Sequence, residues 1–68
     1  MGLEQDIAST AAYITRASRR INRHNRVAAR SRNPRTVATA RDLVSVLTVL
    51  LGNVQRKHRL LRQAARKH

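Results

Sequence analysis

The thirteen residues LVSVLTVLLGNVQ, from Leu43 to Gln55, contain no charged side chain and lie between two strongly basic segments. In this stretch and on both sides of it, apolar or small residues recur at steps of three and four, the spacing that places residues on one face of an α-helix. A heptad repeat of this length predicts a long helix that packs against another helix. We call this repeat the seam, and it comprises Val37, Ala40, Val44, Leu47, Leu51, Val54, His58, Leu61, Ala65 and His68.

The same stretch also carries apolar residues off the seam, at Val46, Val49 and Leu50. A helix that is apolar nearly all round is expected to be buried on more than one side, and one partner helix covers only one side. We therefore expect the chain to self-associate through this helix. Gly52 is either tolerated there or allows close approach of a neighbouring backbone, and its apolar surroundings favour close approach. The residues predicted to carry self-association are Val44, Leu47, Leu51, Val54 and Leu61.

Upstream, a second repeat with the same steps predicts another helix, with one face formed by Ile7, Ala11, Ile14, Ser18, Ile21, Asn25 and Ala28. Five arginines follow the same rhythm, and at about 100° per residue their mean direction lies roughly 160° from Ile14. We call these five the arginine ladder: Arg16, Arg19, Arg23, Arg26 and Arg30. A run of charges is most often a solvated face. Here, however, no acidic residue is placed to pair with the ladder at i±4, which favours an external anion as its partner.

The segment SRNPRT, residues 31–36, separates the two repeats. Pro34 disfavours helical geometry at Asn33, so a helix is expected to end before it and another to begin after it. The spacing from Thr39 to Asp42 suits a helix cap, although a start at Thr36 fits as well. We predict one all-α domain, residues 1–68, with a helix over about 4–31, a turn at 32–36 and a helix over about 37–66. It is expected to form an antiparallel two-helix hairpin that self-associates into a helical bundle or filament.

The charge balance indicates the partner. Lysine and arginine total 15 against 3 acidic residues, giving a net charge of +12. The arginine guanidinium pairs well with phosphate oxygens. Tyr13 is the sole aromatic residue, whereas proteins that bind single strands usually stack bases on several aromatic rings, so duplex DNA is the expected partner and RNA is the alternative. The predicted nucleic-acid contacts are Arg16, Arg19, Arg23, Arg26, Arg30, Arg35, Arg56, Arg59, Arg62 and Arg66.

Catalysis, metals and cofactors are not expected. The chain has no cysteine, and its histidines lack the clustered spacing of a zinc site. Its acidic residues, Glu4, Asp6 and Asp42, suit the first turns of helices better than an active site. His58 falls on the seam, where a histidine is more often a packing residue than a ligand or a pH switch.

These features predict a non-enzymatic protein that binds and packages duplex nucleic acid without sequence preference, in a nucleoid or in a virion. We expect it in the cytoplasm, associated with the nucleoid, or inside a virion. The apolar run is shorter than the roughly 18 residues of a membrane span, so no span is expected. Three alternatives are a small helical regulator that reads a specific DNA sequence, a cationic peptide at membrane surfaces and a basic protein associated with ribosomes.

Overall fold

The computed structural model describes residues 2–67 and contains two helices, α1 (Leu3–Arg30) and α2 (Pro34–Arg66). A connection of three residues makes them pack side by side in an antiparallel hairpin. The molecule is a rod of 53 × 16 × 15 Å. The predicted all-helical hairpin is therefore confirmed at the level of the single chain.

The second helix begins at Pro34, three residues earlier than the sequence pattern indicated. The side-chain Oδ1 of Asn33 accepts a hydrogen bond of 2.9 Å from the backbone N–H of Arg35 and caps the helix. Proline suits the first helical position because it has no N–H to leave unpaired and its φ is already helical. Asn33 thus supplies the cap, and both Thr39 and Asp42 lie inside the helix.

The connection is held by short-range hydrogen bonds. The backbone N–H of Ser31 donates to the carbonyl oxygen of Val27 at 2.9 Å and closes the last turn of α1. The hydroxyl oxygen of Ser31 then accepts a bond of 3.2 Å from the backbone N–H of Asn33. Polar backbone groups at a helix end need such partners. These bonds hold the link as it reverses direction within three residues.

On α1, the face turned toward α2 includes five of the seven predicted positions, all half-buried: Ile7, Ile14, Ser18, Ile21 and Ala28. Thr10 and Ala17 are buried and His24 is half-buried, whereas Ala11 and Asn25, both expected on the packed face, are exposed. Thr10, Ala17 and His24 are seven residues apart and form a line beside the predicted positions, so the packed face extends to one side of the predicted one. Thr10 and His24 are tolerated on that line since polar groups can be buried when they find hydrogen-bond partners.

On α2, the seam matches the packed face from Val37 to Leu61. Ala40 and Leu47 are buried, and the other members in this range are half-buried. The seam departs from the packed face only near the end of α2, where Ala64 is half-buried and the seam residue Ala65 is exposed. His68, the last predicted member, lies outside the described residues.

One polar contact joins the two helices near the open end of the hairpin. The hydroxyl oxygen of Thr10 lies 2.6 Å from Nδ1 of His58. The same hydroxyl lies 3.1 Å and 3.0 Å from the carbonyl oxygens of Asp6 and Ile7. The hydroxyl of Thr10 and Nδ1 of His58 therefore have partners. Their contact also sets the register of the hairpin, because it places residue 10 of α1 opposite residue 58 of α2.

The outer side of α2 leaves large apolar side chains in solvent. We call this set the outer apolar stripe: Leu43 (38% exposed), Val46 (57%), Val49 (65%), Leu50 (44%) and Leu60 (60%). The expectation that one partner helix does not cover α2 is met within the single chain. Gly52 does not serve a close approach there, because a Cβ built on it meets nothing within 4 Å.

Candidate nucleic-acid interface

All five side chains of the arginine ladder are exposed. Their direction follows from the burial of Ala17 against α2, because at about 100° per residue the ladder lies on the opposite side of α1 from that contact. From Arg16 to Arg30 the ladder extends roughly 21 Å at 1.5 Å per residue. This length matches about six base pairs of duplex at 3.4 Å per pair.

The turn end of the hairpin brings the ladder close to the start of α2. Arg23, Arg26 and Arg30 border a shallow surface depression together with Ser31 and Thr36. The first turn of α2 presents the partial positive charge of the helix dipole, which favours a bound anion. Sequence reasoning missed Ser31 and Thr36, because their proximity to the ladder arises only when the hairpin closes.

Arg35 is exposed in the first turn of α2, at the same end of the molecule. It borders a second depression with His24 and Thr39. No acidic residue occurs between Arg16 and Arg41, a range that holds nine arginines. The turn half of the molecule therefore concentrates positive charge, with Asp42 as its one acidic side chain.

The four arginines predicted near the end of α2 form a separate region. This C-terminal basic group is exposed and comprises Arg56, Arg59, Arg62 and Arg66. The contact between Thr10 and His58 places it level with the start of α1, where Glu4 and Asp6 reduce the local positive charge.

The hairpin does not bring the ladder and the C-terminal basic group onto one face. The ladder lies on the side of α1 away from α2. Helical periodicity places Arg56 on the side of α2 away from α1, whereas Arg59 borders a depression together with Ile14 of α1. The two regions follow each other along the rod, and we regard the ladder with the turn as the principal candidate surface.

The residues predicted for self-association occupy the interface between α1 and α2. Leu47 is buried, and Val44, Leu51, Val54 and Leu61 are half-buried. Within one chain these side chains are covered by α1, whereas the outer apolar stripe is not. Their part in assembly stays a prediction.

By length and composition alone, α2 is apolar enough to cross a membrane. A single helix of this kind is weak evidence, because the core helix of a soluble protein and a signal sequence meet the same criterion. Only 11% of its most apolar 18-residue stretch is buried inside the hairpin, so much of its apolar surface is left without cover. Residues 2–67 contain no group of three or more His, Cys, Asp or Glu side chains arranged to hold a metal ion.

No protein-family model matches the chain, and no curated protein or solved structure is significantly similar to it.

Proposed function

We propose that the protein binds duplex nucleic acid through the phosphate backbone, without sequence preference, and packages it by self-assembly. The observation that carries the proposal is the exposed arginine ladder on the side of α1 opposite α2. Five guanidinium groups on one helical face, without acidic neighbours at i±4, repel one another until an external polyanion neutralises them. Phosphate oxygens suit the planar guanidinium fork.

The weak sequence preference follows from the kind of contact. Phosphates are the same in every sequence, so binding to them gives affinity and orientation but carries no base information. The exposed ladder is made of arginines at regular helical spacing, and such regularity suits a repeating backbone. The single aromatic residue, Tyr13, is too little for a surface that stacks unpaired bases.

The packaging part of the proposal is supported by the outer apolar stripe. Monomeric soluble proteins rarely expose large contiguous apolar patches, which more often mark interaction surfaces. A chain of 68 residues also buries little of its own surface, so association supplies stability that the monomer lacks.

The test is the salt dependence of binding to duplex DNA. Each neutralised phosphate releases about 0.9 of a counterion, so six contacts should weaken binding on the order of a thousandfold between 50 and 200 mM salt. Affinity measured by fluorescence anisotropy on several unrelated duplexes should be nearly equal at each salt concentration. A shallow salt slope, or a strong preference for one duplex over scrambled controls, would contradict the proposal and favour a sequence-specific regulator.

A triple variant tests the surface itself. Replacing Arg16, Arg23 and Arg30 by Gln removes three ladder charges and keeps good helix formers, so folding should be unchanged. The slope of log affinity against log salt should fall by about three. The matched control replaces the same residues by Lys, which preserves the charges and should preserve the slope. An unchanged slope in the Gln variant would move the contact surface to the C-terminal basic group.

A further inference from the structure

The outer apolar stripe follows a second heptad line on α2. Its members Leu43, Val46, Leu50 and Leu60 are separated by steps that keep them on one face, and Asn53 and Lys57 complete that line. By helical periodicity, this face points roughly 100° away, around the axis of α2, from the face that packs against α1. The hairpin therefore has a second surface of the kind that packs helix against helix, and α1 does not reach it.

Beside this line, one acidic and one basic residue lie at equal distances along the helix from Val49. Asp42, Val49 and Arg56 are seven residues apart, so they lie on one line of α2, and all three are exposed. Asp42 is the only acidic residue of α2. When two copies of α2 run antiparallel about a two-fold axis at Val49, Asp42 of each copy faces Arg56 of the other.

We propose that the outer apolar stripe binds a second copy of this chain, with the two α2 helices antiparallel and the two-fold axis at Val49. This inference deepens the self-assembly part of the proposed function by naming its surface, partner and register. Val46 and Leu50 of both copies lie within one helical turn of this axis and form the apolar centre, and the paired Asp42 and Arg56 flank it on both sides. Arg35, one heptad before Asp42, faces the neutral Gln63 of the other copy.

A parallel arrangement of the same stripe is disfavoured by charge. It would place Lys57 of one copy beside Lys57 of the other and would bring the two C-terminal basic groups together. Like charges at such close positions destabilise helix pairs. The antiparallel register avoids these pairs and leaves both arginine ladders on the same side of the dimer, as helical periodicity places each ladder on the far side of α1.

A second copy fits the stripe better than a lipid surface does. The uncharged run Leu43–Gln55 extends only about 20 Å, against roughly 30 Å for the hydrocarbon core of a bilayer. The chain has no Trp or Phe to anchor a helix at the headgroups. A bilayer also gives no reason for an acidic and a basic residue to be placed symmetrically about Val49.

Single-cysteine cross-linking tests the register, because the natural chain has no cysteine. The variants are Val49→Cys at the axis, Leu60→Cys on the stripe far from the axis, and Ser45→Cys on another face as a matched control. The full chain, freed of nucleic acid, is oxidised at about 0.5 M salt, where a Debye length of about 4 Å screens repulsion between two copies. Val49→Cys should form a disulfide-linked dimer at least about tenfold faster than the other two variants.

Two cross-linking results would overturn the proposal. Equal cross-linking of Leu60→Cys and Val49→Cys would indicate a parallel pair. Cross-linking of Val49→Cys no faster than that of Ser45→Cys would show that this face does not bind a second copy. The assay contains no nucleic acid, so either result leaves the salt slope of duplex binding, and with it the proposed phosphate contacts, unaffected.

A charge exchange gives an independent readout at about 0.15 M salt. Asp42→Arg and Arg56→Asp alone should each weaken the dimer about tenfold in sedimentation equilibrium, since each replaces two attractive pairs by two repulsive ones. The double variant restores opposite charges and should return to within about threefold of the natural chain. If the double variant dimerises no more tightly than the weaker of the two single variants, the pairing of Asp42 with Arg56 is contradicted.

Discussion

The most buried points of the interface between α1 and α2 are small side chains. Ala17 and Ala40 are 4% and 3% exposed, and Leu47 is the only large apolar residue among the buried positions of residues 2–67. Small residues at such points let helix backbones approach, whereas larger ones would force the helices apart or adopt strained rotamers. The stability of the hairpin thus depends on a few contacts, each of which matters.

Polar residues account for most of the differences from the sequence-based expectation. Thr10 was overlooked because the steps of three and four led from Ile7 to Ala11, yet His58 and two backbone carbonyl oxygens lie within hydrogen-bond distance of it. Asn33 was overlooked as a cap because the Thr39–Asp42 spacing offered another start. In both cases the deciding partner is identified only once the backbone is in place.

At Gly52 we predict a gain in stability from substitution. Gly52 is exposed in the middle of α2, and a Cβ there meets nothing within 4 Å. Gly52→Ala should raise the free energy of unfolding by about 0.5–1 kcal/mol, because alanine loses less backbone entropy in a helix. Thermal denaturation followed by circular dichroism measures this gain.

Gly2→Ala is the matched control for that substitution. Gly2 also has open space around its Cα but occupies the N-cap of α1, where alanine is no better than glycine. The melting temperature of the Gly2→Ala variant should not rise. A loss of stability in Gly52→Ala would show that another backbone approaches Gly52 in the assembled protein.

At the level of the helices, α2 was the more predictable. Its seam is almost free of charge in the centre, so the apolar pattern alone identified the packed face as far as Leu61. In α1 the pattern was diluted by small and polar residues, so it found five positions of the packed face but missed Thr10 and Ala17, the most buried ones. The exposure of the ladder was predicted correctly, since arginines opposite an apolar face remain in solvent. The separation of the ladder from the C-terminal basic group was not, because it depends on how the hairpin closes.

The packed face of α2 is tested by placing a carboxylate in it. Leu47 is 7% exposed, and burying an unpaired carboxylate there costs several kcal/mol against a total stability of about 5–15 kcal/mol. Leu47→Asp should abolish both the helical signal in circular dichroism and the oligomer mass in light scattering.

Ser45→Asp is the matched control, because Ser45 is exposed two residues away on the same helix. This variant should retain its helicity. If Leu47→Asp kept the helicity and the oligomer mass of the natural chain, the packed face of α2 would be wrongly assigned.

At the scale of the whole molecule, the hairpin is long and thin. A rod 53 Å long and about 15 Å wide has almost all its residues in contact with solvent, and between residues 2 and 67 only Thr10, Ala17, Ala40 and Leu47 are buried. Domains of this size gain little from burial alone and are usually stabilised by partners. We therefore expect the hairpin, its copies and its polyanion to stabilise one another.

The length of the rod also sets how much charge it can neutralise. A duplex segment of 53 Å carries about 31 phosphate charges, at one per 1.7 Å of helix axis, whereas the chain carries a net charge of +12. One rod lying along the duplex therefore leaves that segment negative, and two or three rods can bind around it before its charge reverses. In electrophoresis of a duplex of about 16 base pairs, we expect the complexes to change their direction of migration at about 2.6 chains per duplex. Failure to reverse with protein in excess would show that fewer than three chains can bind a segment of this length.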